Sequence, residues 1–145
     1  MDFMSALDIG ASGLSAERAN INIISMNLAN AKTTRTPEGG PYRRKSVIFA
    51  EADVDKPFSA LMQDALGRET KGVRVLGVAT DQRPLKRVLE PGHPDANAEG
   101  YVFYPDINVV EEMTNLMTAT RTYEAGVATL NTVKSMYSRA LTLGA

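Results

Sequence analysis

The sequence predicts a mainly α-helical fold with a small β-rich insert, its long N- and C-terminal helices pairing as an antiparallel coiled coil. Three observations predict it. Leu7, Leu14, Ile21 and Leu28 recur every seven residues near the start. Val109, Leu116, Tyr123, Leu130 and Tyr137 recur the same way near the end, with Met113, Thr120, Val127 and Leu141 as a second row. All seven prolines fall between Pro37 and Pro105, so whatever breaks helices lies between the two stripes. The chain divides accordingly into an N-terminal coiled-coil helix (1–33), an extended, β-rich middle (34–106) and a C-terminal coiled-coil helix (107–145).

The first helix is expected over residues 3–32. Phe3, Leu7, Gly10, Leu14, Ile21, Ile24 and Leu28 share one side, no proline interrupts, and Asp2 or Ser5 supplies a cap. Gly10 and Gly13 each cost about 1 kcal/mol in helix propensity but let a neighbouring helix come close. A rod of this length spans roughly 45 Å. The run Thr33–Pro37 ends it, because the residue before proline is pushed to extended geometry. Glu38-Gly39-Gly40-Pro41 is a turn. Strands follow over 42–49, with the basic run Arg43-Arg44-Lys45, and over 73–79, where the apolar alternation slips by one residue before Val78. Residues 57–68, between those strands, read as loop or short helix. Further strands are expected over 85–89 and 101–104, separated by an irregular turn at Glu90-Pro91-Gly92-His93-Pro94-Asp95. Asn108 and Glu111 have capping-box spacing and open a helix that runs to Leu143, with Gly144 as the stop.

Composition excludes several functions. A length of 145 residues suits one domain, or one helical unit with a small insert. Its 16 basic and 17 acidic side chains nearly cancel, so no global field favours nucleic acid or anionic lipid. With no cysteine there are no disulfides, thiolate nucleophiles or zinc–thiolate sites. No stretch approaches the roughly 20 apolar residues that span a bilayer. The start, Met-Asp-Phe-Met-Ser, has an acid where a secretory signal carries Lys or Arg, so export through a cleaved signal is not expected. There is no tryptophan, and aromatics make up 6% of the chain, which is thin for a self-sufficient core and leaves burial to be completed by neighbours.

Candidate chemical sites are few. His93 is the sole histidine, with Glu90 and Asp95 as its only near partners, and reads as a turn residue rather than a ligand. Gly10-Ala-Ser-Gly13 lacks the strand, the third glycine and the Lys-Ser/Thr of a phosphate loop. The basic cluster of Lys32, Arg35 and Arg43–Lys45 reads as a solvated strand face or as ion-pair partners. Asn20, Asn22, Asn27 and Asn30 crowd the first helix and Asn115 and Asn131 sit on the last; they read either as ordinary surface polarity or as partner-facing amides that fix helix register. No catalytic residue, cofactor or metal is expected. The residues expected to make subunit contacts are Leu7, Leu14, Ile21, Ile24 and Leu28 on the first helix. On the last they are Met113, Leu116, Tyr123, Val127, Leu130, Tyr137 and Leu141.

Two sets of motifs carry a family resemblance. Ser12-Gly13-Leu14-Ser15-Ala16 and 22–31 (Asn-Ile-Ile-Ser-Met-Asn-Leu-Ala-Asn-Ala) resemble the N-terminal signature of bacterial flagellar axial proteins, the rod, hook and hook-associated subunits. Residues 36–43 (Thr-Pro-Glu-Gly-Gly-Pro-Tyr-Arg), 90–96 (Glu-Pro-Gly-His-Pro-Asp-Ala), Glu99-Gly100-Tyr101-Val102, Glu112-Met113, Tyr123-Glu124-Ala125, 130–136 and 141–144 are similar to its proximal-rod members, over essentially the whole length. The chain departs from them at Gly126, where that group usually has Asn, and at Asp81-Gln82-Arg83-Pro84.

The resemblance implies a structural subunit of the flagellar basal body, polymerising into a helical tube that transmits torque from motor to hook. Implied partners are further copies of the chain, other proximal- and distal-rod subunits, the protein joining the MS ring to the rod, and the flagellar type III export apparatus. It implies a rod within the periplasm, exported without a cleaved signal peptide, with no nucleic acid, no small-molecule substrate and no insertion into the membrane. The competing readings are another rod or hook subunit, a cytosolic helical adaptor or export chaperone, and a small α/β enzyme, for which the polar residue inventory is poor.

Overall fold

The structure is a computed structural model, and it describes residues 3–53 and 71–143. Helix α1 spans Phe3–Ala29. Strands β1 (Lys45–Asp53) and β2 (Lys71–Thr80) form one antiparallel pair, and β3 (Lys86–Leu89) and β4 (Tyr101–Tyr104) form another. Helix α2 spans Val109–Leu143. The expected loop or short helix at 57–68, the Asp2 cap and the Gly144 stop lie outside the described residues.

Helix α1 ends three residues before the expected boundary of 32, and Asn30 is the reason. Its amide donates to the Met26 carbonyl at 2.9 Å and its Oδ1 accepts from the Thr33 hydroxyl at 3.2 Å. Such a side chain offers the backbone an alternative to the next helical turn. The chain then reverses at Gly39 and Gly40, whose φ angles of 92° and 75° are ones only glycine adopts without strain. Thr36 N–H closes that turn on the Gly40 carbonyl at 2.8 Å. Strand β1 starts later than predicted because Tyr42 turns back toward the end of α1: its N–H donates to the Thr33 carbonyl at 3.1 Å and its hydroxyl to Asn27 Oδ1 at 3.0 Å.

The slip in the second strand's alternation is a bulge. Ile48 faces Gly77 and Phe49 faces Val75, so Leu76 has no opposite residue and is 63% exposed. The sequence departure at Asp81–Pro84 forms the elbow that leaves β2. Asp81 accepts from Arg83 N–H at 2.9 Å and from Arg83 Nε at 2.6 Å, and Arg83 also reaches Asp106 at 3.4 Å. Arg43 donates into the same elbow, to the Asp81 and Arg83 carbonyls. At the other end of the insert Asn108 Oδ1 accepts from Val110 and Glu111 N–H, at 3.1 and 3.4 Å, and caps α2.

The two helices touch along most of α1. The Phe3 and Tyr137 rings stack with centroids 3.8 Å apart, Leu130 lies over Gly10, Leu14 lies over Gly126, and Asn27 bonds Glu112. Partners therefore descend along α2 as they rise along α1. Among the described residues, buried apolar side chains are few: Ala16 and Ile24 on α1, Ala119 on α2, and Tyr42 and Val102 in the insert.

Candidate assembly surface

The twelve residues expected to make subunit contacts fall into two groups. Ile24 is buried, and Leu7, Leu14, Ile21, Leu28, Leu116, Tyr123, Val127 and Leu130 are half-buried. Met113, Tyr137 and Leu141 are exposed, by 54%, 43% and 58%. The half-buried stripe of α2 that contains Leu116, Tyr123 and Leu130 alternates with Glu112, Ala119, Gly126 and Val133. That second row lies one residue upstream of the Met113–Thr120–Val127 row which apolarity alone suggests. Small side chains decide the difference. Leu14 Cδ2 sits where it would be 2.8 Å from a Cβ at Gly126, and a Cβ at Gly10 would collide with Leu130. The helices approach through reciprocal glycine notches, each filled by a leucine of the other, and a hydropathy count passes over glycine. Gly13, expected to serve the same approach, has nothing near it.

At the end of the pair next to the insert, apolar packing gives way to a buried polar cluster. Asn27 is 0% exposed and Glu112 is 1% exposed. Asn27 Nδ2 donates to Glu112 Oε2 at 3.0 Å and to the Lys45 carbonyl at 2.7 Å. Asn27 Oδ1 accepts from the Tyr42 hydroxyl at 3.0 Å and from Lys45 N–H at 2.9 Å. Arg44 donates to Glu112 Oε1 through Nε and Nη2, both at 2.7 Å. Both hydrogens and both lone-pair directions of the Asn27 amide are thus used. Burial pushes the Tyr42 phenol above its ordinary pKa, and the Glu112 carboxylate pushes it the same way. Of the asparagines singled out in the sequence, Asn27 is the one buried against the other long helix. Its partners Tyr42, Arg44 and Glu112 were hidden as a motif tyrosine, a member of a basic run and one glutamate among several.

The other candidate positions settle as structural residues. His93 Nδ1 accepts from Asp95 N–H at 3.1 Å, and its ring meets Tyr104 edge-on at 6.3 Å. Asp95 accepts from the Thr34 hydroxyl at 2.8 Å and so ties this turn to the segment after α1. Glu90 accepts from the Tyr104 hydroxyl at 2.9 Å and raises that phenol's pKa. Among the described residues no group of three or more acidic, histidine or cysteine side chains could hold a metal. Among them, too, no helix is long and apolar enough to cross a membrane.

What the chain leaves open is surface. It exposes 10366 Å², against roughly 7,300 Å² for a compact monomer of 15.7 kDa. The exposed apolar side chains include Val110, Met113, Met117, Met136, Leu141 and Leu143 on α2, and Ile48, Phe49, Leu76 and Val78 on the β1–β2 pair. Such a surface is characteristic of a protein that finishes its burial in an assembly.

Comparison with known proteins agrees. Residues 7–35 match the family described as flagella basal body rod protein, and residues 98–143 match the C-terminal family of flagellar basal body rod FlgEFG proteins. The flagellar basal-body rod protein FlgC of Salmonella typhimurium is 44% identical over 144 residues, with 99% of each chain covered. That of Borreliella burgdorferi is 41% identical over 150 residues, covering 99% of this chain and 98% of the relative. That of Bacillus subtilis is 37% identical over 151 residues, with 99% of each covered. Matched from end to end by rod proteins of this one name, and built as a helix pair that cannot bury its own surface, the chain belongs to the FlgC family of flagellar basal-body rod proteins, which are structural subunits and not enzymes.

Proposed function

We propose that this rod subunit builds the proximal rod: α1 and α2 pair as an antiparallel coiled coil, and copies repeat by a screw operation into a tube that carries torque from motor to hook. The observation that carries the reading is the double character of α2. One side holds α1 through Leu130 over Gly10 and Gly126 under Leu14, while Val110, Met113 and Met117 stand exposed on another. Two faces on one helix allow contacts with different neighbours, and a contact between unlike patches propagates instead of closing on itself. Stiffness follows from packing many such helices side by side.

Further copies of the chain, other proximal- and distal-rod subunits and the protein joining the MS ring to the rod are the partners this reading assigns. On this reading the subunit passes through the flagellar type III export apparatus and joins the periplasmic part of the basal body. The twelve stripe residues divide between the two kinds of contact: Leu7, Leu14, Ile21, Ile24, Leu28, Leu116, Tyr123, Leu130 and Tyr137 within the pair, and Met113, Val127 and Leu141 toward neighbours.

The experiment is deletion of the gene, followed by electron microscopy of purified basal bodies and a motility assay. Cells that keep the membrane ring but lack rod and hook are the expected outcome. A complete rod and filament would overturn the proximal placement.

A further inference from the structure

We propose that Asn27 and Glu112, with Tyr42 and Arg44, determine the register in which α1 and α2 pair. The inference rests on the helix pairing of the proposed rod subunit and asks what stops that pairing from sliding. A seam that repeats every seven residues is nearly degenerate under a one-heptad shift, because leucines, isoleucines and small residues replace one another. The glycine notches at Gly10 and Gly126 also resist a shift, but only through steric fit. The polar cluster is not adjustable.

Its discrimination comes from geometry. Asn27 is fixed by two bonds to the Lys45 backbone, and that same backbone carries Arg44. Donors and acceptors on the α1 side are therefore set before α2 arrives. Only a carboxylate at position 112 completes the set, accepting from Asn27 Nδ2 and from the Arg44 guanidinium together. A shift of one heptad in one direction brings Ala119 to Asn27 and carries Glu112 to the level of Thr34, beyond the end of α1 and away from Arg44. In the other direction Glu112 is carried to the level of Asn20, and Asn27 is left opposite Pro105, ahead of the start of α2. Either shift strands a buried amide and a buried carboxylate, and a buried charge without its partner is heavily penalised. An apolar pair of the same volume would stabilise the native register as well, but it would not reject the shifted ones.

The chain has no cysteine, so introduced pairs report register directly. Gly10→Cys with Leu130→Cys reports the native register. Phe3→Cys with Leu130→Cys, and Leu14→Cys with Val133→Cys, report the two shifted ones. Each pair is placed in the full chain with native Glu112, with Glu112→Gln, which keeps the shape and removes the charge, and with Glu112→Leu. Each chain is co-expressed with the unaltered subunit so that rods still form. Cells are oxidised, and intrachain disulfides are quantified by mass spectrometry in basal bodies and in the unassembled pool.

With native Glu112 the shifted pairs are expected at less than about one-tenth of the native pair. With Glu112→Leu they rise to within about threefold of it, and Glu112→Gln lies between. Shifted pairs that stay tenfold below the native pair in both variants, in whichever pool the variants are found, would overturn the assignment of register to this cluster. Equal yields of all three pairs with native Glu112 would instead refute the helix pairing itself.

Discussion

Replacing three glycines of the helix pair by alanine should give three different answers, because the space above each one differs. Alanine in a helix interior is about 1 kcal/mol more favourable than glycine when nothing else changes. At Gly13 an added Cβ meets nothing within 4 Å, so Gly13→Ala should stabilise by about 1 kcal/mol. At Gly126 the added Cβ would be 2.8 Å from Leu14 Cδ2 and at an ordinary 3.6 Å from its Cγ. Turning the leucine tip clears it at a cost of about 0.5–1.5 kcal/mol, which cancels the gain. At Gly10 the collision involves Leu130 Cδ2, with Cγ also tight at 3.2 Å, so rotating the tip cannot clear it. Moving the whole side chain costs about 1–3 kcal/mol, which outweighs the propensity gain. Gly13→Ala and Gly10→Ala should therefore differ by about 2 kcal/mol, or about thirtyfold in the folding constant. The assay is urea unfolding followed by circular dichroism, with equal slopes required of all variants. A Gly10→Ala chain as stable as Gly13→Ala would refute the notch geometry. So would a Gly10→Ala, Leu130→Ala double variant whose effect is the plain sum of its parts, since contacting residues should couple by about 0.5 kcal/mol or more.

Leu130→Asp places a carboxylate against Gly10 at a cost of several kcal/mol, and should abolish incorporation into rods without lowering synthesis; normal motility would reject the seam. Tyr42→Phe removes the hydroxyl that Asn27 accepts and should cost about 1 kcal/mol at neutral pH, read from the unfolding midpoint. The same variant should flatten the alkaline limb of stability. With its pKa raised in the folded chain, Tyr42 contributes stability that is present below the ordinary phenol value of about 10 and lost as pH rises through the folded one. At the elbow, the Arg83 backbone N–H and then its guanidinium hold Asp81 below its ordinary value, so its contribution is present above about pH 4 and lost as pH falls. Asp81→Asn should therefore weaken the acid dependence of unfolding, and an unchanged acid limb would contradict the elbow.

The elements were readable where one residue type carries one physical signal. Prolines marked off the insert, Asn108 marked the start of α2, and the slipped valine alternation marked the bulge at Leu76. Strand β4 fell on the expected residues. What escaped was pairing chemistry. The protected row of α2 includes Glu112, Ala119 and Gly126, none of which scores as a hydrophobic seam residue, yet each suits its place through small size or a bond. Glu112 reads as a solvated charge until Arg44, 68 residues away in sequence, is brought to it. The Gly126 departure, which suggests a loosened helix on propensity alone, is the site where Leu14 comes closest.

The clamp on both sides of the insert has a consequence for how such chains diversify. The segment entering it carries Arg43 and Arg44, the segment leaving it carries Asp106 and Glu112, and these are joined through Arg83 and directly. The stretch between is thus a bight pinched at its neck. Lengthening a loop whose ends are already held costs only about 0.6 kcal/mol per doubling. A change of length in the turns of that stretch leaves the two helices joined at the neck, so the insert of such a subunit can be rewritten, or made to carry a tag, without parting the helix pair.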